Sequence, residues 1–88
     1  MAEVVVRNPQ GLHLRPATEF ARLVMATGCD VRVATADAEA NGASVLELAM
    51  LGVPQGTTLR ISAAGPRAAD AVRSLVTLVT SGFAGTEG

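Results

Sequence analysis

His13 is the only histidine in this chain of 88 residues, and it lies in the run Gly11-Leu12-His13-Leu14-Arg15-Pro16-Ala17. An imidazole can act as a nucleophile or a proton carrier near neutral pH. The guanidinium of Arg15, two positions on, has the fork shape that holds phosphate or carboxylate oxygens. Gly11 permits a tight turn. Pro16 is preorganised for a first helical turn, where its missing N–H costs nothing. A helix start also attracts anions, because its unpaired N–H groups and its dipole face outward. Seven residues thus bring together a nucleophile, an anion clamp and the positive end of a helix. A lone histidine in a small chain is more often an ordinary surface or core residue. The arginine and proline at a helix start are what favour chemistry here.

Composition narrows the alternatives. The length fits one domain, residues 1–88, with a frayed tail expected over 84–88. Hydrophobic residues make up 49%, but Phe20 and Phe83 are the only aromatics, so Ala, Val and Leu must fill the core. The net charge of −1 gives no basic field for nucleic acid or membrane. All seven basic residues are arginines. The single cysteine, Cys29, rules out an internal disulfide, and its simplest role is that of a small hydrophobe. One Cys and one His are too few for a zinc site, and no clustered carboxylates accompany His13, which argues against metal-dependent or hydrolytic chemistry. No cofactor is implied. No apolar run approaches the roughly 20 residues of a membrane span, and no basic start followed by an apolar stretch suggests a signal peptide. The expectation is a cytoplasmic monomer.

The elements that must position His13 follow from periodicity. Glu3 to Arg7 is β-branched and apolar, a strand. Asn8-Pro9-Gln10-Gly11 is a loop. From Leu14 to about Thr27 the period is helical, with Ala17, Phe20, Ala21, Val24 and Met25 forming one apolar face and Gly28 a C-terminal stop. Val31 to Thr35 alternates as a half-buried strand does, and Glu39 to Asn41 forms a short return strand. Ser44-Val45-Leu46-Glu47 matches a capping box, with Glu47 returning the hydrogen bond to Ser44 and a short helix running to Met50 or Leu51. Thr58 to Ala63 is the last strand. Gly65-Pro66 opens a final helix, lined inside by Ala68, Ala71, Val72, Leu75, Leu78 and Val79. The order βαββαβα reads as a two-layer α+β domain with an antiparallel sheet.

Three landmarks carry a family resemblance. Gly11-Leu12-His13-x-Arg15-Pro16-Ala17 after a first strand resembles the active-site signature of HPr, the histidine-containing phosphocarrier of the bacterial phosphoenolpyruvate:sugar phosphotransferase system. Asn41-Gly42-Ala43-Ser44-Val45-Leu46, followed by Leu51-Gly52, resembles the segment around the family's regulatory serine. The strand from Gly56 to Gly65 is the third. Together they span about Val4 to Val79. The resemblance implies an open-faced β-sandwich, a four-stranded antiparallel sheet under three helices. It implies phosphoryl transfer from phospho-enzyme I to Nδ1 of His13 and onward to sugar-specific enzyme II A-type domains, without independent turnover.

The residues fit such a role. A carrier must release its cargo as readily as it accepts it, and imidazole is both a nucleophile and a fair leaving group. Arg15 and the helix end would stabilise the transferring oxygens. Leu12 would anchor the loop in the core, and Pro16 and Ala17 would fix the helix start. Docking would use Leu14, Val45, Leu46 and Met50, because a short helix cannot bury every apolar position. Ser44 carries two readings: a helix cap, and the target of a serine kinase and phosphorylase implied by the resemblance. Glu47 stands where family members are often basic or neutral. Two further readings remain, a carrier in a nitrogen-related or regulatory phosphorelay and a module that binds a phosphorylated ligand without covalent chemistry.

Overall fold

Alternating apolar positions gather into one sheet, whose inner face carries the core. The structure is a computed structural model and describes residues 1–83. Strand β1 (Ala2–Val5) pairs antiparallel with β4 (Thr58–Ala64), Val4 lying opposite Leu59. On its other side β4 pairs with β2 (Asp30–Ala34), Val33 opposite Ile61, and β2 pairs with β3 (Glu39–Asn41). The order β1-β4-β2-β3 leaves β1 and β3 at the edges. Side chains alternate across the pleat. Val4, Val31, Val33, Ala40, Leu59 and Ile61 are therefore buried, while Glu3, Arg32, Glu39 and Arg60 face solvent.

Helices α1 (Leu14–Thr27), α2 (Val45–Met50) and α3 (Ala68–Thr80) accompany this sheet as the open-faced α+β sandwich expected. Ala17, Phe20, Ala21 and Val24 of α1 and Ala71, Leu75 and Val79 of α3 are buried. Both phenylalanines are fully enclosed. Gly28 adopts the left-handed conformation that ends α1. Among the described residues, no helix is long and apolar enough to cross a membrane.

Three expectations are corrected. Met25 is 63% exposed. At 3.6 residues per turn it points about 90° from the middle of the buried stripe. The first strand ends at Val5 rather than Arg7. Val6 still donates to Thr57 and accepts from Gly56, but Gly56, at φ 92°, turns the facing chain out of the ladder. The last helix starts at Ala68 rather than at Pro66. Gly65 (φ 126°) and Arg67 (φ 60°) are both left-handed and so cannot belong to a right-handed helix. The fraying expected over 84–88 lies outside the described residues.

Candidate functional site

The loop before α1 is a pedestal tied down by hydrogen bonds. Gly11 N–H donates to the carbonyl of Asn8, and the Asn8 side-chain amide donates back to the carbonyl of Gly11. Leu12 N–H donates to the carbonyl of Val53 at 2.9 Å, and the Leu12 side chain is buried in the core. Gly11 sits at φ 69°, and a Cβ there would come within 2.0 Å of the Val53 oxygen. Only glycine fits.

On this pedestal His13 is the N-cap of α1, with extended backbone angles (φ −81°, ψ −170°). Its carbonyl accepts from Ala17 N–H at 3.0 Å, the first bond of the helix. Its side chain makes no capping hydrogen bond, and the residue is exposed. The imidazole thus stands at the positive end of α1 without being used to close it. Pro16 and Ala17 are buried behind it. Pro16 is the third helical residue, within the turn whose N–H groups have no intrahelical partner. Arg15 is exposed on the same turn, and no acidic residue shares that turn.

His13 faces two hollows. The larger, about 780 Å³, is lined by Arg7, Asn8, Gln10, Arg15 and Pro16 on one side and by Thr80 to Phe83, the end of α3, on the other. The smaller, about 310 Å³, lies between His13 and the residues around the end of α2, including Ala49, Gly52 and Val53. The sequence reading placed His13 and Arg15 together but missed the contribution of α3. The signal in the sequence was Gly82, a glycine just past the last apolar position of that helix. Gly82 N–H bonds the Val79 carbonyl and Phe83 N–H the Leu78 carbonyl, so the helix ends in a Schellman motif. Its hydrophobic partner is the buried Phe83, which brings the end of the helix to the cleft.

The expected docking residues divide. Leu14, Leu46 and Met50 are exposed, at 64%, 69% and 75%. Val45 instead packs partly against the core, because positions 45 and 48 share the inner face of α2 while 46 and 50 share the outer one. At the start of α2, Ser44 Oγ accepts from Glu47 N–H at 3.1 Å, as a cap should. The reciprocal bond differs from expectation: Glu47 Oε1 accepts from Asn41 N–H at 2.9 Å, not from Ser44. Ser44 N–H is already taken by the Asn41 carbonyl, so the carboxylate reaches the next open donor. Among the described residues, no three His, Cys, Asp or Glu side chains gather as a metal site.

A family model described as "PTS HPr component phosphorylation site" matches residues 1–81. The chain is 38% identical over 77 residues to the phosphocarrier protein HPr of Vibrio cholerae, covering 88% of this chain and 91% of that protein. It is 36% identical over 85 residues to the multiphosphoryl transfer protein of Escherichia coli O157:H7, covering 93% of this chain but 23% of that longer protein. A crystal structure of HPr-C-His from Thermoanaerobacter tengcongensis superposes with a TM-score of 0.86 at 33% identity, covering 94% of this chain and 96% of the other. With signature, fold and relatives in agreement, the chain belongs to the HPr phosphocarrier family of the phosphotransferase system.

Proposed function

We propose that His13 accepts a phosphoryl group from phospho-enzyme I and passes it to enzyme II A-type domains in bacterial sugar uptake, in the cytoplasm and as a monomer. The observation that carries this reading is the exposed His13 ring at the start of α1, beside Arg15 and unused as a cap. The neutral ring attacks phosphorus through one nitrogen, Nδ1 by family likeness, as the donor's bond to phosphorus breaks. Arg15 grips two phosphoryl oxygens, and the start of α1 adds positive potential. Onward transfer reverses the same step. The donor and acceptor proteins sit on Leu14, Leu46 and Met50, with Val45 contributing its outer edge. Three exposed apolar side chains suit brief encounters with several partners.

Ser44 acts first as the cap of α2. A phosphate on its Oγ would put a dianion at a helix start, which favours it, beside the Glu47 carboxylate, which opposes it. In this reading a serine kinase and phosphorylase act on Ser44 only as a secondary control of docking.

The test is incubation with enzyme I and phosphoenolpyruvate, followed by mass spectrometry at mildly alkaline pH. One acid-labile phosphoryl group on His13 is expected. An unlabelled but folded protein would reject the carrier reading and favour a module that binds phosphorylated ligands without reacting.

A further inference from the structure

We propose that Arg7 is a second cationic contact for the phosphoryl group in transit, acting beside Arg15; this rests on the carrier reading of His13. Arg7 follows β1 and lines the same 780 Å³ cleft as His13 and Arg15. Its backbone is held on both sides. Val6 before it pairs with Thr57 and Gly56, its own carbonyl accepts from Gln55 Nε2 at 2.8 Å, and Asn8 after it is tied to Gly11. The base of the side chain is therefore fixed relative to the His13 pedestal, while the residue itself is exposed.

The arginines differ in their company: Arg60 and Arg67, like Arg7, have no carboxylate within 4.0 Å among the described residues, but neither lines the cleft. Arg22, Arg32 and Arg73 lie 3.4, 4.0 and 3.5 Å from Glu19, Asp30 and Asp70. Each sits away from the cleft and has a local counter-ion. Among the described residues no carboxylate comes within that range of Arg7. An exposed arginine that lines a cleft and has no carboxylate nearby adds positive potential that attracts an oxyanion. A transferring phosphoryl group presents three oxygens and nearly two negative charges. The fork of Arg15 takes two of those oxygens. One oxygen and part of the charge remain, and Arg7 meets them. In the step itself the bond from His13 nitrogen to phosphorus forms as the donor's bond to phosphorus breaks. The leaving group keeps the electron pair and takes up a proton, and His13 gives up the proton on its other nitrogen.

Single-turnover transfer from phospho-enzyme I to wild type, Arg7→Gln and Arg7→Lys tests this, with circular dichroism to verify folding. At saturating donor, Arg7→Gln should transfer about tenfold more slowly, less than the loss of an enclosed oxyanion contact because the site is open. Arg7→Lys should stay within about threefold of wild type, since it keeps the charge. An unchanged saturated rate in Arg7→Gln overturns the proposal. So does a loss confined to subsaturating donor, which would place Arg7 on the partner's carboxylates, or a lysine variant as slow as glutamine. Failure of wild type itself to accept the group would instead overturn the carrier reading beneath it.

Discussion

Two helix starts in this molecule solve the same problem in opposite ways. Helix α2 begins with Ser44, whose hydroxyl accepts Glu47 N–H, while Glu47 reaches back to Asn41. Its polar side chains are spent on closing the end. Helix α1 begins with His13, whose side chain closes nothing. Its loop is held instead by backbone bonds from Gly11 and Leu12 and by the burial of Leu12 and Pro16. The contrast teaches that a side chain left free of capping can occupy a cap position once the backbone beneath it takes over the stabilising work. Capping normally contributes about 1 kcal/mol. At α1 that contribution is forgone, and the burial of Leu12 more than replaces it, since such a side chain contributes roughly 1.5–3 kcal/mol.

If the comparison holds, substitutions at the two starts should separate function from stability. The largest effect is expected from His13→Ala. It should abolish phosphoryl acceptance while changing folding stability by no more than about 0.5 kcal/mol, because no capping bond is lost. Label retained on the folded variant would break the assignment. Gly11→Ala attacks the pedestal rather than the ring. Its left-handed angle and the close Val53 oxygen should cost about 3 kcal/mol, read as a lower urea midpoint, and any folded fraction should transfer slowly. An unaltered midpoint would show that the loop yields. Arg15→Lys should leave the midpoint alone and slow transfer about tenfold through loss of the two-oxygen grip; identical kinetics would remove Arg15 from that role. Ser44→Ala should show the converse pattern, about 1 kcal/mol of lost stability with transfer from enzyme I intact. Kinetic loss without destabilisation at Ser44 would erase the distinction between the two starts.

Much of this was legible in the sequence because it is local. The limits of α1 follow from an apolar stripe, a first-turn proline and a terminal glycine, and the Ser44 cap from its spacing to Glu47. What escaped was set by the third dimension. Glu47 bonds Asn41 because Asn41 had already taken the Ser44 N–H, a competition that spacing does not reveal. Val45 turned inward because α2 shows the core one narrow face, centred on Leu48. The cleft joins Arg7 to Phe83 from opposite ends of the described chain. Periodicity within one element carries no information on such a meeting.

The Gly11–Val53 contact has a consequence for how other proteins read this one. On the carrier reading, a loop pinned by the backbone bonds of Gly11 and Leu12 should offer an arriving group and a departing group the same surroundings, so that neither direction of traffic is taxed by remodelling. The loaded and empty forms are then expected to share one outline. A partner that must tell them apart has to sense the added negative charge itself, because the silhouette stays the same.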